Sequence, residues 1–214
     1  MNLTIDLLTP NEVAEITNIS AENQRNMRRS GYLPKNSGHA RFTLHDTARL
    51  LVIGLMAERG IGPKISVTFA DTAARGIVLS LLYSSEIYSE SAAVAAHLET
   101  ETEAVEGIAR VRLTKLTDLN DSDILSFKGS IAKNYLAEKI AATLGMQGEK
   151  RPNFFCLWAN NHPEFFYDDE HPWEDVDYSL PAWQGPVIMF SIGAVAALMA
   201  SRLPRSIVHA VEDK

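Results

Sequence analysis

Cysteine is almost missing from this chain: Cys156 stands alone. One thiol excludes a disulfide framework and a cysteine-built zinc site, and it suits a reducing compartment. Set in NFFCLWA, it reads as a small buried hydrophobe. A membrane-length run is missing too. The strongest apolar stretch, VIMFSIGAVAALMAS at 187–201, has fifteen residues, where a span needs about 20. Ser191 and Gly193 divide it into a strand followed by a helix. The opening MNLTIDLLTPNEV has no basic region and no long apolar run, so no signal peptide is expected. Phosphate loop, dinucleotide glycine pattern, HExxH and nucleophile elbow are all missing. The chain therefore reads as a cytoplasmic non-enzyme with no cofactor, no metal and no membrane partner.

What is present is an uneven charge. The 214 residues carry a formal charge of −7, long enough a chain for one large core or two small ones. Residues 1–65 hold eight Lys/Arg against six Asp/Glu, a net of +2, and residues 66–214 a net of −9. A mildly basic head on an acidic body points the head alone toward a polyanion.

That head has strong local signals. Thr9-Pro10-Asn11-Glu12 predicts a helix start, with Thr9 as N-cap, Pro10 in the first position and Glu12 closing a capping box. The helix ends near Thr17-Asn18, and Ser20 caps a second one over 21–30 that Gly31 stops in the left-handed conformation. Gln24 and Met27 are placed inward, so Glu22, Arg25, Asn26 and Arg29 share the outer face with Arg28 on its flank. Forked donors on an exposed helix suit phosphates and guanine edges. A two-stranded wing is expected next: Tyr32-Leu33 going out, Gly38 at the tip, Arg41-Phe42 returning with Phe42 inward. Helices then open near Thr43 and at Pro63, the latter running to about Leu82.

At these residues the chain resembles the DNA-binding domain of the MerR family of bacterial transcription regulators. That family reads LRYYERxGLLxP, GYRxYxxxD and a helix closing on glycine before GFSL. Here the segments are NQRNMRRSGYLP, GHARFTLHD and ERGIGPKIS, in the same order and without a gap. Arg25 matches the reader-helix arginine, Gly31 and Pro34 the helix stop and wing entry. Gly38, Arg41, Phe42 and Asp46 match the wing glycine, arginine, aromatic and capping aspartate. The family's paired tyrosines are Asn26 and Met27 here, its glutamate is Arg28, and its sensor cysteines have no counterpart. The resemblance covers about a quarter of the chain. It implies a homodimer reading an inverted repeat in double-stranded DNA. Arg25, Asn26, Arg28 and Arg29 would lie at the major groove, and Lys35, His39 and Arg41 on the backbone.

The body is less explicit. Residues 63–82 and 90–111 read as helices, the second rich in Ala and Glu, but its large apolar residues hold no heptad for a long dimer helix. A helix is expected around 130–144, ending at Gly145. Two aromatic runs about Asn160-Asn161-His162-Pro163 read as a β-hairpin, PVIMFSI as a third strand, GAVAALMASRL as a helix and SIVHAV as a last strand. The aromatic residues are read as core rather than as a pocket or a dimer face. The run from Asp168 to Asp177, with His171, matches no metal-loop spacing and reads as a connector.

The expected fold class is a mostly α winged helix-turn-helix head followed by helices and a small α+β domain. The expected division is 1–65 for DNA binding, 66–119 as a helical linker or dimerisation region, and 120–214 as an α+β effector or dimerisation domain. A small molecule or protein is the candidate effector there. Two other readings stand beside a regulator: a phage or mobile-element DNA-architecture factor (excisionase-like or packaging-recognition), and a protein-interaction module that no longer binds DNA.

Overall fold

The structure, a computed structural model, describes residues 2–33, 40–115, 121–168, 170–173, 177 and 179–211. Among these residues the chain forms seven α-helices and two small antiparallel sheets, a mixed α/β architecture. In chain order the elements are β1 Asn2–Ile5, α1 Pro10–Thr17, α2 Ala21–Arg29, α3 Leu44–Ala57, α4 Pro63–Leu81, α5 Glu90–Lys115 and α6 Asp121–Thr143. They continue with β2 Pro152–Leu157, β3 Pro163–Tyr167, β4 Ile188–Ser191, α7 Ile192–Ser201 and β5 Val208–Val211. They fall into two compact units. The larger holds Asp6–Ser84 and Lys150–Arg205, and the smaller Met1–Ile5, Ser85–Glu149 and Ser206–Lys214.

The larger unit is built on α3 and α4. Thr43 opens α3 with a reciprocal capping box to Asp46, and Leu50, Leu51, Val52 and Ile53 are buried along it. α4 backs onto the three-stranded sheet β3-β2-β4. Their approach is set at Gly76, where a Cβ would stand 2.9 Å from the Phe165 ring and from Pro152. Phe69 of α4 stacks on Phe155 (centroids 6.1 Å apart, 22° between planes), and Phe190 meets both rings. Each fully buried ring is worth about 1.5–3 kcal/mol relative to exposure, so this aromatic cluster is the anchor of the unit. The hairpin and third strand form as expected, with Leu157 opposite Pro163 and Phe155 opposite Phe190.

The smaller unit is a hairpin of α5 and α6 with a two-stranded ribbon. Ala92, Ala96, Thr100 and Ala104 recur every fourth residue and are all buried, facing a second fourfold row of Ala132, Leu136 and Ile140. Rows at i, i+4 are the ridges by which helices interdigitate, and small side chains let the ridges approach closely. The ribbon pairs Asn2 with Val211 and Ile5 with Val208. Its β5 strand is further tied by Ser89 N–H to Val208 O and Ile207 N–H to Ile87 O, both 2.9 Å.

Several expectations need correction. The last strand forms as β5 and pairs with β1, a strand the local sequence did not announce. The helix expected around 130–144 begins at Asp121. A long helix, α5, is present although no heptad marks it, because its buried row is alanine rather than leucine. Neither unit is continuous in the chain: 1–5, 85–149 and 206–214 form one, and 6–84 with 150–205 the other. α4 belongs with α3 because their apolar faces meet, and 120–214 is shared between units because α6 packs on α5 while β2, β3, β4 and α7 pack on α4.

Candidate nucleic-acid interface

The interface expected from the sequence centres on α1, α2 and the segment returning through Phe42. The start of α1 is closed as the sequence predicts. The Thr9 hydroxyl accepts from Glu12 N–H (3.3 Å), and the Glu12 carboxylate accepts from Thr9 N–H (2.7 Å). α1 ends at Asn18 in the left-handed region (φ 59°), and Ser20 caps α2 by accepting from Asn23 N–H. Three residues separate the helices, and a buried amide fixes their crossing. Gln24, 1% exposed, donates from Nε2 to the carbonyls of Pro10 and Ile19, both at 2.9 Å. Its buried Oε1 has no partner among the described residues. The two Nε2 bonds tie the start of α1 and the turn before α2 to one buried side chain.

α3 seats the pair from behind. At Gly54 a Cβ would lie 2.8 Å from the carbonyl oxygen of Thr17, so glycine is the residue that allows α3 to touch the end of α1. Phe42, 2% exposed, forms an antiparallel bridge with Leu8 through two 2.9 Å backbone hydrogen bonds.

With Gln24 inward, Glu22, Arg25, Asn26 and Arg29 are exposed, as the helical spacing predicts. Neither Arg25 nor Arg29 has an ion-pair partner among the described residues. Arg28 is half-buried, its guanidinium 5.2 Å from the centroid of the Phe42 ring. Phe42 thus links the helix flank to the returning segment. Arg28 and Arg29 also sit in the last turn of α2, where cations favour the negative end of the helix. That accounts for part of the cluster without any ligand, but not for Arg25 in the middle of the helix.

The returning segment differs from expectation. Tyr32 is not committed to a strand, because its N–H turns back to Met27 O behind Gly31, which has φ 77°. Among the described residues, the strand-like partner of Phe42 is Leu8, not Leu33. Arg41 is exposed and donates weakly to Ala40 O at 3.5 Å. Lys35, Gly38 and His39 lie outside the described residues.

Two arginines that sequence reasoning missed hold this arrangement. Arg202, after α7, donates to the Ile16 carbonyl at 2.9 Å. Arg205 pairs with Glu12 at 2.9 Å and with Asp6. Burial alone would raise the Glu12 carboxyl. The Thr9 backbone and hydroxyl, with Arg205, outweigh it and hold the group below the ordinary carboxylate range. No local signal could have found either arginine, since their partners lie more than 180 residues away.

Elsewhere, Cys156 is buried, and desolvation aided by Glu164 pushes its thiol up to about 11. Among the described residues no group of three or more His, Cys, Asp or Glu is placed to hold a metal, and no helix is long and apolar enough to cross a membrane. Comparison with family models, with characterised proteins and with solved structures gives no match to this chain.

Proposed function

We propose that this protein is a sequence-specific DNA-binding transcriptional regulator of the MerR-like type, acting as a homodimer on an inverted repeat. The observation that carries this reading is the outward face of α2, where Arg25, Asn26 and Arg29 stand exposed while Gln24 and Gly54 lock the helix from behind. A rigid helix with forked donors and no ion-pair partner for Arg25 or Arg29 among the described residues suits insertion in a major groove. The Leu8–Phe42 bridge beside it supports a winged-helix head, from which Arg41, Lys35 and His39 would reach backbone phosphates. Arg28, stacked on Phe42, is assigned to the groove edge.

The test is selection of bound fragments from genomic DNA by the purified chain, followed by gel-shift titration of Arg25→Ala on the fragment selected. The variant is expected to lose ~1–3 kcal/mol of binding to the specific site with unchanged thermal unfolding. Equal binding by wild type and variant removes the reader-helix assignment. Fragments that map to attachment or packaging sites rather than promoters would move the same head to a DNA-architecture factor. Failure to bind any fragment at low salt would leave a protein-interaction module.

A further inference from the structure

We propose that the larger unit also binds a small organic acid carrying a flat ring. The site is the cavity where the end of α4, the start of β2 and the first turn of α7 converge. It is an open cleft with a volume of about 650 Å³, within the roughly 300–1,000 Å³ typical of small-molecule sites.

The lining separates by chemistry. Arg151, Asn153 and the hydroxyls of Ser80, Ser84 and Ser191 supply hydrogen-bond donors, whereas Tyr83, Phe154 and His171 supply ring faces. Among the described residues no Asp or Glu lines it, although the chain has 27 acidic residues to 20 Lys/Arg. Among the described lining residues the one charged group is the Arg151 guanidinium, which favours an anion.

Arg151 is poised for that role. Its guanidinium lies 4.9 Å from the centroid of the Tyr83 ring, which sets the plane of its forked donors. The neighbouring cation, Lys150, pairs with Asp168 at 3.6 Å, and Arg151 has no ion-pair partner among the described residues. A planar carboxylate meets such a fork in two parallel hydrogen bonds.

The ring preference comes from the aromatic part of the lining. His171 stacks on Trp173, with centroids 4.9 Å apart and planes 7° from parallel. Phe154 meets both edge-on, at 6.3 Å and 5.9 Å. Trp173 is 55% exposed, so this stack is a surface feature that the core around Phe155 does not require. Gly193, in the first turn of α7, also lines the cavity, with open space where a Cβ would stand.

The proposal does not rest on DNA binding and is tested apart from it. The full chain is titrated with 2-naphthoate and with 2-naphthalenemethanol, its neutral analogue of similar shape, by calorimetry and by tryptophan fluorescence. The acid is expected to bind at least about tenfold more tightly than the alcohol, a difference of about 1.4 kcal/mol. Arg151→Gln should remove that preference while leaving the alcohol's affinity unchanged. Ala197→Phe, at an exposed position on the cavity wall, should abolish binding of both with the far-ultraviolet circular dichroism unaltered. Arg25→Ala should leave naphthoate binding as it is, which separates this site from the reader helix. Equal affinity for acid and alcohol, no naphthoate binding below about 1 mM, or binding that survives both cavity variants would overturn the proposal.

Discussion

The two units solve the problem of building a core with opposite materials. The larger closes around big rings, Phe69, Phe155 and Phe190, and lets its elements meet at Gly54 and Gly76. The smaller closes around a fourfold row of alanines on α5, and it has no aromatic cluster among the described residues. The difference teaches where each is vulnerable. A core of large side chains is sensitive to what is removed from it, whereas a seam of small ones is sensitive to what is added.

The largest effect should come from removing the central ring. Phe155→Ala is expected to destabilise the protein by ~3–5 kcal/mol, read from urea unfolding. A loss below ~1 kcal/mol would show that the aromatic cluster is not the anchor, and the comparison would collapse. Next comes filling the seam: Ala96→Leu should cost ~1–3 kcal/mol, whereas a neutral or stabilising result would mean that α5 and α6 are loosely packed.

A smaller effect sharpens the comparison at α1, which is held by polar links. Glu12 has its carboxyl held below the usual range in the folded state. Its contribution is therefore present above the unfolded value and lost as pH falls through the folded one. Glu12→Gln should lower stability by about 1 kcal/mol near neutral pH, on the scale of a helix cap. The gap to wild type should close as the solution is acidified through and below the ordinary carboxylate range. A gap that stays constant with pH would mean that the link to Arg205 contributes through shape and not charge. The smallest effect is expected on the outer face of α5. Leu98 is 70% exposed, so Leu98→Ser should stay within about 0.5 kcal/mol. A larger loss that depends on protein concentration would place a second copy on that face.

Legibility in the sequence follows the range of the forces involved. The caps at Thr9, Ser20 and Thr43, the stop at Gly31 and the hairpin at Asn160-Asn161 were all readable, because each is satisfied within a few residues. The outward set on α2 was readable for a related reason. Once Gln24 is known to face inward, helical periodicity places Arg25, Asn26 and Arg29 outward. The α5 seam was not, since a search for large apolar heptads passes over Ala92, Ala96 and Ala104. The bridge from Phe42 to Leu8 was not legible either, because it joins segments more than thirty residues apart. The cavity beside Arg151 was also invisible, because its walls come from α4, β2, α7 and the loop at His171.

The sequence alone therefore determined the helix boundaries around the head, the cationic face of α2 and the aromatic hairpin, all matters of local capping and periodicity. Only the tertiary structure decided that residues 2–5 pair with 208–211, that Arg202 and Arg205 brace α1, and that the aromatic sheet packs on α4 rather than with α6. The physical reason is that a hydrogen bond or a ring contact between distant segments leaves no periodic trace in either one. It exists only after burial has brought the two together.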